Sequence, residues 1–209
     1  MTRPLAVLRP EPGNAATAAR IAAAGLTAIP LPLFAVRPLA WDMPARAYDA
    51  LLLTSANAVR HGGPKLAALS ALPVYAVGEA TAAAARAAGF TVAAVGRGGV
   101  AAIVARAGGA RLLHLAGRDR VDAGVDAVAV YASEPLAIDP APLTGSVAMV
   151  HSARAGARLA EIVPDRGTIA LAAISLTAAR AAGPGWAGLA IAGEPTDAAL
   201  IAAARGLAD

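Results

Sequence analysis

Three segments of this chain recur at a nearly fixed interval, and that recurrence limits the possible folds more than any other feature. LLLTSANAVR, with Ser55, resembles AMVHSARAGAR, with Ser152, 97 positions later. VGEATAAAARAAG, with Thr81, resembles ISLTAARAAG, with Thr177, 96 positions later, and GRGGVAAIVARA from Gly96 resembles GEPTDAALIAAA from Gly193, again 97 later. Alanine-rich helices resemble one another cheaply, so the strand-to-helix junctions make the match informative. The copies are not simply in tandem. The first ends with LLHLAGRD (112–119), whose counterpart is LAVLRPEP (5–12) at the N-terminus. Such a permutation requires the chain to begin in one domain, leave it to build the other, and return.

The expected division is residues 1–34 with 134–209 as one domain and 38–130 as the other, crossed at 35–37 and 131–133. Two Pro-flanked extended stretches, Leu31 to Leu39 and Val128 to Leu136, alternate bulky and small residues and suit a pair of linker strands. Read as edge strands of a single sheet, they leave the permuted repeat unexplained. Strands are expected at 5–8, 51–54, 74–77, 92–95, 112–115, 125–131, 147–150, 169–174 and 189–192. Alanine-rich helices fill the gaps, from about 14–24, 80–88 and 100–107 and after Ser55, Ser152, Thr177 and Thr196, with Gly25 and Gly89 as stops. This alternation predicts an α/β fold: two similar parallel-sheet domains joined by a two-stranded linker, the first domain discontinuous.

Composition narrows the function. With 209 residues, 57% hydrophobic and 15% charged, the chain can bury one good core or two small ones. Its apolar runs are broken by Gly, Pro or Arg before the roughly 18 residues of a membrane span, so no membrane association is expected. Only a strand-length apolar stretch separates Arg3 from Arg9, without a small-residue cleavage pattern, and the expected location is the cytoplasm. The absence of cysteine excludes disulfides, thiolate zinc sites and cysteine nucleophiles. His61, His114 and His151 have no metal-ligand spacing and read as ordinary surface or core histidines. A net charge of +4 suits nucleic acid or a small acidic ligand. The arginines are scattered and aromatics make up only 3%, which favours the small anion over nucleic acid.

In open α/β sheets, ligands bind beyond the carboxyl ends of the strands, where helix N-termini expose unpaired N–H groups. The junctions here are Ser55, Thr81 and Gly117 in one repeat and Ser152, Thr177 and Arg9 in the other. Singly, Ser55, Thr81, Ser152, Thr177 and Thr196 are helix caps, each stabilising by about 1 kcal/mol without a ligand. As a paired set they are expected also to line a cleft. The loud constellations are missing. GRGG at 96–99 lacks the Lys-Ser/Thr of a phosphate loop, and neither GxGxxG, GxSxG nor HExxH occurs. Glu11, Asp49, Glu79 and Asp119 have no carboxylate partner at a telling spacing. No triad, metal or nucleotide cofactor is expected.

YDALLLTSANAVR (48–60), LPVYAVGEATAAAARAAGF (72–90), LLHLAGRD (112–119), VAVYASEP (128–135) and PTDAAL (195–200), with VLRPEP (7–12), resemble uroporphyrinogen-III synthases over nearly the whole chain. The TS-x-x-AV and VG-x-x-TA pair is specific when both occur together. The resemblance implies two α/β domains joined by a two-stranded ladder, no cofactor, a monomer, and the small-molecule substrate hydroxymethylbilane, a linear chain of four pyrroles carrying eight carboxylates. Pyrrole nitrogen expels its hydroxyl, so the enzyme's task is to hold the chain while ring D attacks through its substituted carbon. On this chain the implied contacts are Arg9, Thr54, Ser55, Asn57, Gly78, Thr81, Gly117, Arg118, Ser152, Ala153, Thr177 and Thr196. Tyr131 either donates to the leaving hydroxyl or seals the hinge as an amphipathic residue.

Three departures stand out. Ser175 replaces the glycine of the second VG-x-x-TA copy, His151 precedes Ser152 where an aromatic or hydroxyl residue is common, and few residues separate Asp119 from the strand at Val125 where relatives have a helix. Two other classes remain open beside the enzyme. A non-catalytic two-lobed anion-binding protein is disfavoured by the missing secretion signal, and a nucleotide-dependent transferase by the missing phosphate loop.

Overall fold

The computed structural model describes residues 2–96 and 98–209, so Arg97 of the GRGG segment lies outside the described residues. The chain divides into two compact units, Met1–Ala35 with Pro135–Asp209 (unit 1) and Val36–Glu134 (unit 2). Each is built on its own sheet.

In chain order, unit 1 opens with β1 (Leu5–Val7), α1 (Gly13–Ala23) and β2 (Ala28–Pro30). The chain then forms β3 (Phe34–Pro38), β4 (Ala50–Leu53), α2 (Ala56–His61), β5 (Val74–Val77), α3 (Glu79–Ala87), β6 (Val92–Gly96), α4 (Val100–Arg106), β7 (Leu112–Gly117) and β8 (Asp126–Pro135). It completes unit 1 with β9 (Val147–Val150), α5 (Ala153–Ile162), β10 (Ala170–Ala173), α6 (Leu176–Ala182), β11 (Gly188–Ile191) and α7 (Asp197–Ala208). Short β2 was not expected, because three residues, two half-buried and one exposed, carry almost no alternation signal.

The sheet orders are β11-β10-β9-β1-β2 and β6-β5-β4-β7-β8-β3. Set β9 against β4 and β1 against β7, and five strands of each sheet follow the same order, which is the permutation the sequence repeats carry. The pairs β1–β2, β1–β9, β9–β10, β10–β11, β4–β5, β4–β7, β5–β6 and β7–β8 are all parallel. Strands β1, β4, β7, β9 and β10 are buried along their whole length, which explains their unbroken apolar runs.

Alternation splits each sheet's side chains between two cores. In unit 2, Leu51, Leu53, Leu113 and Leu115 pack with Ala58, Ala82 and Ala85. On the opposite face, Ala50, Leu52 and Leu112 pack with Ile103. Unit 1 likewise has one core around Leu8, Ala148, Val150 and Leu171 and another around Leu5, Val7, Met149 and Leu200. Small residues let helices approach closely: Gly156 on α5 faces the α6 backbone, where a Cβ would stand 2.5 Å from the Ala178 carbonyl oxygen.

The connection from β7 to β8 contains no helix. Gly117 is aligned with Tyr131 and Leu113 with Asp126, so residues 118–125 must carry the chain back along the strands. Eight extended residues reach about 26 Å, enough for the return. The trimmed segment leaves Val121 77% exposed. Among the described residues, no helix is long and apolar enough to cross a membrane.

Candidate active site

In unit 2 the carboxyl ends of parallel β4, β5 and β7 carry Thr54, Gly78 and Gly117. Leaving β4, the chain turns extended at Ser55, whose hydroxyl accepts from the Asn57 N–H at 3.2 Å and so caps α2. The Asn57 side chain turns instead to Arg60, 3.5 Å away. Gly78 opens α3 with φ 80°, a left-handed conformation that demands glycine. Thr81 therefore does not cap the helix; it lies inside α3, buried to 5% exposure.

A pocket of about 210 Å³ gathers Thr54, Ser55, His114, Gly117 and Tyr131 with Val100, Asp119, Arg120 and Val121. Tyr131 packs against Gly117: a Cβ there would stand 2.9 Å from the tyrosine Cζ and 3.1 Å from its hydroxyl oxygen. The centroid of the tyrosine ring lies 6.4 Å from that of His61. Arg118 does not enter as a free cation, since its guanidinium pairs with Glu134.

His114, expected to be an ordinary surface or core histidine, is a buried member of this pocket. It is 1% exposed, and its Nε2 lies 3.0 Å from the Thr54 hydroxyl. Burial, helped by the charge of Arg120, pushes its pKa down to about 4, so the ring is neutral at pH 7. The signal was present in β7, LLHLAG, where a single imidazole interrupts an otherwise apolar, fully buried strand.

In unit 1, Ser152 accepts from the Ala155 N–H at 3.1 Å and Thr196 from the Ala199 N–H at 3.2 Å, so both cap helices, with Ala153 as the first residue of α5. At the second VG-x-x-TA copy the backbone takes another path. Ser175 is extended and its hydroxyl caps α6 through Ala178 at 3.2 Å, which places Thr177 inside the helix and exposed. Glycine is dispensable at 175 because the φ is −160°, not positive.

Arg9 belongs to a polar cluster centred on Asp197. That carboxylate accepts from Thr17 Oγ1 at 2.8 Å and Arg20 at 2.5 Å, lies 2.9 Å from His151 Nε2, and meets Arg9 at 3.5 Å. Burial works to raise the Asp197 pKa, but hydrogen bonds from His151, Thr17 and Arg20 outweigh it and hold the group below its ordinary value. His151 is shifted downward by burial despite this partner. Asp197 opens α7 and His151 follows β9, 46 positions apart, so no local spacing announces the pair. Among the described residues, no three His, Cys, Asp or Glu side chains gather to hold a metal ion.

The fold has counterparts in solved proteins. The uroporphyrinogen-III synthetase of Helicobacter pylori 26695 superposes with a TM-score of 0.71 at 19% identity, covering 99% of this chain and 100% of that one. A mutant uroporphyrinogen III synthase of the extremely thermophilic bacterium Thermus thermophilus superposes with a TM-score of 0.55 at 17% identity, covering 99% of each chain. These two likenesses concern the fold. No curated protein sequence matches the chain. The family model described as uroporphyrinogen-III synthase HemD matches residues 15–202, nearly the whole length. This chain therefore belongs to the uroporphyrinogen-III synthase family.

Proposed function

We propose that this chain cyclises hydroxymethylbilane to uroporphyrinogen III, as a cyclising lyase of tetrapyrrole and heme biosynthesis, and that the pocket around Thr54, Ser55, Gly117 and Tyr131 takes part in holding the substrate. The observation that carries the residue-level reading is the pocket itself, which collects expected contacts from three different strands.

The chemistry divides unequally between substrate and protein. Pyrrole nitrogen donates its electron pair to expel the hydroxyl, which departs as water after taking one proton and leaves an azafulvenium cation. The substituted carbon of ring D attacks this cation, forming a spiro intermediate. Its rearrangement and loss of a ring proton give the inverted macrocycle. The protein's contribution is to keep the reacting carbons close, where correct orientation alone can supply roughly 7–11 kcal/mol. Tyr131 is assigned the hydrogen bond to the departing hydroxyl. Its ring lies against Gly117 at the pocket wall, which restricts its rotation.

The remaining contacts are assigned to helix N-termini and arginines: Ser55 with Asn57, Gly78 and Thr81 in unit 2, and Ser152 with Ala153, Thr177 and Thr196 in unit 1. Arg9 and Arg118 contribute through their ion pairs with Asp197 and Glu134. The segments 35–37 and 131–133 serve as crossings between two domains. The enzyme works as a cytoplasmic monomer without metal or nucleotide.

The deciding experiment is conversion of hydroxymethylbilane with chromatographic separation of type III from type I product. The expected outcome is excess type III, insensitive to chelator and weakening with salt because charged contacts are screened. Unaltered accumulation of the type I isomer would overturn the assignment. For Tyr131→Phe, the single-turnover rate is expected to fall about ten- to a hundredfold with an unchanged melting temperature. An unchanged rate in the folded variant removes Tyr131 from the mechanism.

A further inference from the structure

His114 and Thr54 project from the same face of unit 2's sheet. Leu52 is aligned with His114 and Leu53 with Leu115, so Thr54 sits one diagonal step from the imidazole. They form the polar end of the apolar row Ala50, Leu52 and Leu112, packed under Ile103. The ring is buried, its Nε2 contacts Thr54 Oγ1 at 3.0 Å, and its Nδ1 is buried without a protein partner. That arrangement decides where the proton sits. A buried N–H without a partner is rarer and costlier than a buried unpaired acceptor, so in the neutral ring the proton belongs on Nε2. Nε2–H then donates to the Thr54 oxygen. The threonine's own hydrogen must point elsewhere, and Thr54 lines the 210 Å³ pocket.

We propose that His114 is a positioning residue: by donating to Thr54 Oγ1 it turns the Thr54 hydroxyl into an outward hydrogen-bond donor for one carboxylate arm of the substrate. This rests on the reading of the chain as a uroporphyrinogen-III synthase. The pocket's size fits an arm and not the whole substrate, since sites enclosing a drug-sized molecule run from about 300 to 1,000 Å³. Its lining offers an anionic oxygen Ser55 and Arg120, beside the acidic Asp119. His114 itself need not touch the ligand. Without it, Thr54 Oγ1 regains a free lone pair and its hydrogen loses a fixed direction.

The test compares steady-state constants for hydroxymethylbilane in wild type, His114→Leu, His114→Gln, Thr54→Val and the His114→Leu/Thr54→Val double variant. A hydrogen bond to a charged group carries about tenfold or more in binding. His114→Leu is expected to raise KM about tenfold with kcat within about threefold, and Thr54→Val to do the same. The double variant should be no worse than either single one, because both substitutions disrupt the same outward hydrogen bond. Glutamine places an amide N–H near the former Nε2, so His114→Gln should recover most of the loss. If His114→Leu does not fold, His114→Asn replaces it, because its shorter amide cannot reach Thr54. A folded variant lacking the donor but with unchanged KM overturns the proposal, and so do effects of the two substitutions that multiply. Wild-type turnover is read separately. Its absence overturns the functional reading and this proposal together, whereas normal wild-type turnover with insensitive variants overturns this proposal alone.

Discussion

At the scale of single residues, His114 leaves a signature in stability that does not depend on catalysis. Its folded pKa, near 4, lies below the unfolded value of about 6.5, so between these values the unfolded chain binds the extra proton. Stability must therefore fall as pH drops from 6.5 toward 4. The loss between pH 7 and pH 5 amounts to about 2 kcal/mol from this group. Urea unfolding at the two pH values should show wild type losing about that much more than His114→Leu, and equal losses would mean that the imidazole is not held neutral. Gly117 supports Tyr131 by a different means. A methyl at 117 would stand 2.9–3.1 Å from the ring and hydroxyl, so Gly117→Ala should displace the tyrosine and lower the cyclisation rate by at least as much as Tyr131→Phe. A Gly117→Ala enzyme of normal rate would show that the ring's placement is immaterial. Tyr131 and Thr54 were visible through a resemblance, and Ser55 through a repeated junction. The Thr54–His114 contact was not visible, because its partners are 60 positions apart and meet only through strand pairing.

At the scale of elements, glycine has opposite effects in two helices of unit 1. Gly156 on α5 sits where a methyl would strike the Ala178 carbonyl at 2.5 Å and the Ala182 nitrogen at 3.1 Å, both backbone atoms of α6. Neither can rotate away. Gly156→Ala should separate the helices and cost about 1–3 kcal/mol, as overpacking does. Gly206 lies on the exposed face of α7 with nothing within 4 Å of an added methyl, so Gly206→Ala should stabilise by about 0.5–1 kcal/mol. Thermal or urea melts of the two variants should move in opposite directions, and a shift of the same sign in both would refute the assigned α5–α6 packing. The helices themselves were legible because Ser55, Ser152 and Thr196 start them with caps and Gly25 and Gly89 end them in left-handed turns. Thr81 and Thr177 misled as caps, since Gly78 and Ser175 hold the true cap positions three and two residues earlier. A glycine that starts a helix by backbone conformation alone offers no side chain to recognise.

At the scale of the whole molecule, the permuted repeat implies a physical asymmetry between the two units. Unit 2 is one continuous stretch, Val36–Glu134, whereas unit 1 needs both ends of the chain. Three short repeats carried the shared order of strands in the sequence, while the helix-free return from β7 to β8 was visible only as a shortage of residues. Among the described residues, each hydrophobic core draws on one unit: the Leu51 and Leu52 cores use residues of unit 2, and the Leu5 and Leu8 cores residues of unit 1. A stretch of this length that contains its own core has what independent folding requires. Residues 36–134 expressed alone should therefore fold cooperatively, with the circular dichroism of a mixed α/β protein and a single urea transition. The His114 contribution should travel with the fragment, so between pH 7 and pH 5 the fragment should lose about 2 kcal/mol more than its His114→Leu form. Residues 1–35 expressed alone should remain unfolded, because β1 has its neighbour β9 only after the chain returns. A fragment 36–134 without a cooperative transition would show that unit 2 borrows its stability from the rest of the chain, and that the continuous stretch is not a domain.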